Sequence, residues 1–281
     1  MMTRPSLVGL VLACGMVWMC PAWADLALNM PQGASTSSRD IYGLHMQILW
    51  WCVLIAAVVY AAMIYAIVRF RKANGAQAAR FTHNTTVEVV WTVIPAAILI
   101  GMAVPAADTL IRLEDTRNSD LTIKITGYQW QWHYDYIDQG VAFFSRLASE
   151  SNAARQRGSE RDPFSVENYL LDVTEEVVVP VNARVRLLIT AGDVLHAWWV
   201  PELGVKKDAI PGFINETWFE AVEEGTYRGQ CAELCGMDHG FMPIVVRVVG
   251  QSEYESWLAD RQPQPSAASR DTSAAIEERL P

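Results

Sequence analysis

Two thiols, an imidazole and a thioether fall within twelve residues in Cys231-Ala232-Glu233-Leu234-Cys235-Gly236-Met237-Asp238-His239-Gly240-Phe241-Met242. A second imidazole, His196 in Asp193-Val194-Leu195-His196, lies 35 residues before Cys231, far enough to come from another strand. Soft sulfur suits Cu(I), imidazole suits both oxidation states, and a weak axial thioether tunes a copper potential. His196, Cys235, His239 and Met242 alone complete a mononuclear electron-transfer set, which leaves Cys231 in surplus. Two bridging thiolates give that surplus a place. They spread one electron over two copper ions, so little geometry changes on transfer and the barrier stays low. The pattern points to a binuclear copper relay.

Two other readings use the same residues. In an oxidising compartment Cys231 and Cys235 could form a disulfide in a metal-free chain. Structural zinc favours a close Cys pair followed at a distance by a His pair. Here one His lies far ahead of the Cys pair, the other close behind it, and zinc has no use for the Met. Of the five cysteines, Cys14 and Cys20 lie in the N-terminal apolar run and Cys52 in a longer one, so only Cys231 and Cys235 remain further on. No disulfide framework is left to explain them. His45, His83 and His133 read as surface or interface residues, and the absence of Cys-x-x-Cys-His excludes a covalently attached c-type haem.

The ligands need a scaffold outside the reducing interior. Residues 7–20 form an uncharged run behind Arg4, followed by Pro21 and Ala22-Trp23-Ala24. That pattern predicts a secretory signal peptide over 1–24, since fourteen residues are short for a membrane span. An exported segment, 25–40, then leads to a hairpin over 41–111 with spans at about 44–68 and 88–110. Arg69, Arg71, Lys72 and Arg80 lie between the spans with no acid before Glu88. By the positive-inside rule that loop is cytoplasmic and both termini are outside. Glu88 has two readings. Thr85-Thr86-Val87-Glu88 matches a capping box, and an ionisable group at the edge of an apolar helix is also a candidate proton-path residue.

Beyond residue 112 the period changes. Leu121, Ile123 and Ile125 alternate with Thr122, Lys124 and Thr126, the mark of a half-buried strand. Further strand-like runs occupy 177–181, 184–191, 215–222, 226–231 and 243–249, separated by Gly, Pro and Asn turns. They predict an all-β Greek-key sandwich or barrel over 112–260, cupredoxin-like, with the metal ligands in loops at one end. Residues 138–168 read as an insertion, residues 251–260 as a short helix, and 261–281 as a disordered tail. Residues 112–260 hold 24 acids and 13 bases, a net of −11. Much of that charge is a solvated face, but near a redox site it would speed encounter with a basic partner.

With these residues in view the chain resembles subunit II of a bacterial haem–copper cytochrome c oxidase over roughly 41–260. The likeness rests on the Cys–His–Met run, on Asp-Val-Leu-His and on Lys207-Asp208-Ala209-Ile210-Pro211-Gly212. It extends to Gly127-Tyr128-Gln129-Trp130-Gln131-Trp132 and Val87-Glu88-Val89-Val90-Trp91-Thr92. Phe213 departs from the pattern, which has a basic residue there, and Gly192 stands where some members have an acid.

The resemblance implies that His196 and Met242 serve one copper, that His239 and the Glu233 carbonyl serve the other, and that Cys231 and Cys235 bridge both. It implies a magnesium or manganese ion shared with subunit I through the Glu233 side chain. Electrons would arrive at Trp130, cytochrome c would dock on Asp135, Asp193 and Asp208, and Glu88 would lie at the mouth of a proton channel. The implied partners are subunit I, which carries the haem and the oxygen site, subunit III, cytochrome c and membrane lipid, with no nucleic acid. The implied location is the bacterial inner membrane with the copper domain periplasmic. A membrane-anchored copper carrier would need exchangeable ligands rather than a set drawn from two loops. A quinol-oxidase relative would lack the ligands altogether.

Overall fold

The computed structural model describes residues 29–262, so the expected signal peptide and the tail from residue 263 lie outside the described residues. Gln32 begins the larger of two units, and every helix and strand among the described residues belongs to it.

Among the described residues two long helices come first, α1 over Thr36–Arg69 and α2 over Thr85–Leu113. At about 1.5 Å per residue both exceed the roughly 30 Å of a bilayer's hydrocarbon core. Trp50, Leu54, Val58, Ile64, Leu99 and Ile100 stand exposed along them. So much apolar surface exposed among the described residues, on helices of this length, fits membrane-spanning segments. Helix α1 begins eight residues ahead of the expected span, because its first turn is polar and built on a cap. The Ser35 hydroxyl accepts the Ser38 N–H, while Ser38 Oγ accepts the Ser35 N–H, both at 3.0 Å. Hydropathy registers only the apolar part of such a helix. Helix α2 is capped by Asn84 rather than Thr85. The Asn84 side chain accepts the Val87 N–H and Glu88 Oε1 accepts the Asn84 N–H, each at 3.2 Å.

Ten strands follow in two sheets. The first runs β3-β2-β1-β5-β8, from β1 (Leu121–Tyr128), β2 (Gln131–Tyr136), β3 (Val141–Ser145), β5 (Arg184–Ala191) and β8 (Asn215–Glu220). The second runs β4-β10-β9-β6-β7, from β4 (Val177–Pro180), β6 (His196–Val200), β7 (Val205–Ala209), β9 (Gly225–Cys231) and β10 (Pro243–Val249). Residues 138–168, expected as an insertion, contribute β3 as well as the short helix α3 (Ser149–Ala154). Five residues beside a Gly140 turn are too few to show a period. The alternation in β1, β2 and β5 buries one face of each.

Between the sheets Ile123, Ile125, Leu187, Ile189 and Phe219 join Trp198, Ile244 and Val246 in one core. Three polar side chains inside it are paired across the layers. Tyr136 Oη donates to the Val178 carbonyl at 2.8 Å and accepts its N–H at 3.0 Å, and Trp198 Nε1 donates to Tyr134 Oη at 3.3 Å. Helix α4 (Gln251–Arg261) closes one edge, with Trp257 against Tyr136 at 5.3 Å between ring centroids.

Topology brings the ligand-type residues to one end. β1 and β5 are parallel, with Gly127 opposite Ala191, so both chains leave the sheet side by side into residues 129–130 and 192–195. β6 and β9 are antiparallel, with Trp198 opposite Cys231, so His196 at the start of β6 faces the end of β9. The loop 232–242 then spans β9 to β10 over the same end.

Candidate metal centre

His196 and Cys231 reach the site from strands, the other ligand-type residues from the loop 232–242. Cys231 and Cys235 are both buried and free, and their Sγ atoms lie 3.9 Å apart. A disulfide needs about 2.05 Å, so these are separate sulfurs. His196 Nδ1 lies 3.8 Å from Cys231 Sγ, and His239 Nδ1 lies 3.5 Å from Cys235 Sγ. Met242, fully buried, brings Sδ to 3.6 Å from Cys235 Sγ, and the Glu233 carbonyl oxygen lies 3.3 Å from Cys231 Sγ. Donor atoms of His196, Cys231 and Cys235 all lie within 4.8 Å of one another. Two sulfurs, each with its own imidazole, plus a thioether and a carbonyl, match the donor chemistry of a two-copper site. The residues fit that group.

The electrostatics fit a cation as well. Burial pushes the Cys231 thiol up, but hydrogen bonds from His196 and from backbone groups outweigh it, and its pKa is lowered to about 7. Burial, and then charge on Cys231, push Cys235 up to about 12. The bare pair therefore holds one negative charge readily and resists a second. A positive ion beside the sulfurs would favour ionising both.

His196 is held from behind. Asp193 Oδ1 lies 2.9 Å from Nε2, which fixes that nitrogen as the N–H and leaves Nδ1 facing the sulfurs. The same carboxylate accepts the Val194 N–H at 2.6 Å and the Gln129 N–H at 2.7 Å. Burial raises the Asp193 pKa, but these three bonds outweigh it and hold it below the usual carboxylate value. Trp132 is wholly buried, edge-on to the His196 ring at 5.9 Å, and its Nε1 donates to the Met242 carbonyl at 3.3 Å. A methyl group on Gly127 would lie 2.9 Å from the His196 ring, so only glycine lets the imidazole sit there.

Trp130 stands half-buried in the β1–β2 turn with its Nε1 donating to the Cys235 carbonyl at 3.2 Å. Gln129 Nε2 donates to the same oxygen at 2.8 Å. Gly236, at φ +115, leaves no Cβ against the Trp130 ring. The structure thus brings Trp130 and Asp193 into one hydrogen-bonded network with the ligand-type residues. Asp135 lies on β2 opposite Lys124, and Asp208 lies on β7 opposite Ala197. The Glu233 side chain is exposed, and Glu88 lies at the start of α2, outside the cluster. Gln129 and Trp132 as supports, and Asp193 as the partner of His196, were not visible in the sequence. The only signal was the three-residue spacing from Asp193 to His196.

A profile of the cytochrome C oxidase subunit II periplasmic domain matches residues 121–249, and one of the subunit II transmembrane domain matches residues 21–108. "Probable cytochrome c oxidase subunit 2" of Rickettsia conorii is 39% identical over 259 residues, which are 90% of this chain and 79% of that one. Cytochrome c oxidase subunit 2 of Cereibacter sphaeroides is 37% identical over 233 residues, 80% of this chain and 77% of that one. The crystal structure of the periplasmic domain of subunit II of cytochrome oxidase of Bradyrhizobium japonicum is 46% identical, with a TM-score of 0.45, covering 52% of this chain and 96% of that chain. The two apolar helices, the β-sandwich and the sulfur–imidazole cluster meet in one assignment: the chain belongs to the cytochrome c oxidase subunit II family.

Proposed function

We propose that this chain is the electron-accepting subunit of its oxidase. It takes single electrons from cytochrome c and hands them to haem in subunit I, where oxygen is reduced to water and protons are moved across the membrane. The observation that carries the reading is the pair of free sulfurs 3.9 Å apart, each with an imidazole nitrogen beside it. When bound, two coppers held by Cys231 and Cys235 would supply a one-electron store. His196 and Met242 would hold one ion, His239 and the Glu233 carbonyl the other.

The protein's own groups do the rest. Asp193 keeps Nε2 of His196 protonated, so Nδ1 stays available as a donor. Trp132 and Met242, both buried, exclude water from one side of the cluster. The Trp130 indole, bonded to the Cys235 carbonyl, offers a short through-bond link from the surface to a bridging sulfur. Asp135 and Asp208, exposed or half-exposed on their strands, would steer a basic cytochrome, with Asp193 adding to their field. The exposed Glu233 carboxylate suits a magnesium or manganese ion held jointly with subunit I. Glu88 would pass protons toward subunit I from the cytoplasmic side. The basic residues between α1 and α2 favour a cytoplasmic loop in a bacterial cell and a periplasmic sandwich, and subunit III and lipid would cover the rest of the helices.

Metal analysis with electron paramagnetic resonance tests the copper reading. Two coppers per chain, with hyperfine splitting from one electron over two nuclei, are expected. One copper with a single-nucleus signal would overturn it.

A further inference from the structure

His196 and His239 are supported very differently. His196 opens a strand and is fully buried, whereas His239 is half-exposed on a single turn, His239–Phe241, anchored by a 3.3 Å backbone bond to Gly236. That turn is braced from outside. Arg155, just past the end of α3, directs Nη1 and Nη2 to the two carboxylate oxygens of Asp238 at 3.1 and 3.0 Å. Its Nε donates to Asn152 Oδ1 at 2.8 Å, and its guanidinium carbon lies 4.2 Å from the Phe241 ring centroid. Both ion-pair side chains are mostly shielded, at 21% and 23% exposure. One planar cation therefore grips the residue before His239 by a two-pronged ion pair and stacks on the residue two after it. The turn between is closed by the Phe241 N–H on the Asp238 carbonyl at 2.9 Å.

We propose that Arg155 is a positioning residue for His239: it stiffens the turn so that the imidazole keeps its place beside Cys235 whatever the charge on the site. A surface ion pair of two flexible chains would contribute little. This one is forked, stacked and largely out of water, which are the conditions under which arginine gives geometry as well as charge. Lysine at 155 would keep the charge and lose both the fork and the stack.

The inference rests on the copper reading, and the experiment separates the two. Full-length chain purified in detergent and loaded with copper is mixed with excess bathocuproine disulfonate and reductant, and loss of the visible bands is timed. Arg155→Gln should release copper about tenfold faster than wild type, the lower end of what losing a ligand's outer support costs. Arg155→Lys should fall between them, and Asp238→Asn should match Arg155→Gln. The double variant should be no faster than either single one, because both remove the same contact. The hyperfine pattern of Arg155→Gln should shift while the thermal midpoint of the copper-free chain stays close to wild type. Release within about twofold of wild type, or single effects that multiply in the double variant, overturns the proposal. A parallel fall in copper-free stability with unchanged release assigns Arg155 a purely structural role and also overturns it. A wild-type chain that takes up no copper sinks the copper reading and this inference with it.

Discussion

Replacing Asp193 distinguishes a docking carboxylate from a support of the metal site. Its side chain accepts three hydrogen bonds, from His196 Nε2–H, from the Val194 N–H and from the Gln129 N–H. Asparagine has one acceptor oxygen and must point its NH2 at His196 or at Gln129, setting donor against donor. A hydrogen bond to a charged group contributes about 1.5–3 kcal/mol. Asp193 is 31% exposed, so water can replace part of what is lost and the lower figure applies. About 1.5 kcal/mol corresponds to roughly tenfold in copper affinity. Asp193→Ala removes all three bonds and leaves a fully buried imidazole N–H unpaired, so about 30- to 100-fold is expected. Competition of the full chain against a graded copper chelator gives both numbers, and the visible spectrum should shift in both variants. If Asp193→Asn binds copper within about twofold of wild type with an unaltered spectrum, and only association with a basic cytochrome slows, the network has been misread.

Trp130→Phe should preserve copper binding but slow electron transfer inside the cytochrome complex, because it deletes the link from the indole N–H to the Cys235 carbonyl. Stopped-flow rates at saturating cytochrome test this, and an unchanged rate argues against Trp130 as the arrival point. Copper uptake should release more protons as pH falls from about 8 to about 6. Binding needs two thiolates and a neutral His196, and Cys235, raised to about 12, gives up its proton throughout. Cys231, lowered to about 7, and His196, whose pKa is raised, must also shed theirs once pH drops below those values. Calorimetry in buffers of different ionisation enthalpy counts the protons, and a release that shrinks on acidification contradicts the assignment. Glu88→Gln keeps an acceptor for the Asn84 N–H, so a purely capping Glu88 tolerates it with little change. A proton-path Glu88 loses most steady-state oxygen turnover in the assembled oxidase while reduction by cytochrome c stays fast, and this is the expected result.

What could be read in the sequence was what is local. Ligand types crowded into residues 231–242 announce their chemistry without a fold, and the apolar runs of α1 and α2 are long enough to show themselves. The alternation of β1 and β5 exposed one buried face each, whereas β6, as His-Ala-Trp-Trp-Val, has no alternation because four of its five residues are buried. The supports were hidden for a different reason. Asp193 meets Gln129 across 64 residues of sequence and Arg155 meets Asp238 across 83, and neither pair has any local pattern. Both contacts exist only because β1 lies parallel to β5 and because the segment after β3 folds back over the loop before β10. Asp193 illustrates the consequence. Charge and proximity to His196 mark it as one acid among several on an acidic face, and the β5–β6 loop also brings its carboxylate to the imidazole. A metal site of this kind is therefore written at two levels: its donors are chosen by chemistry and can be read from residue types, while their orientation is chosen by topology.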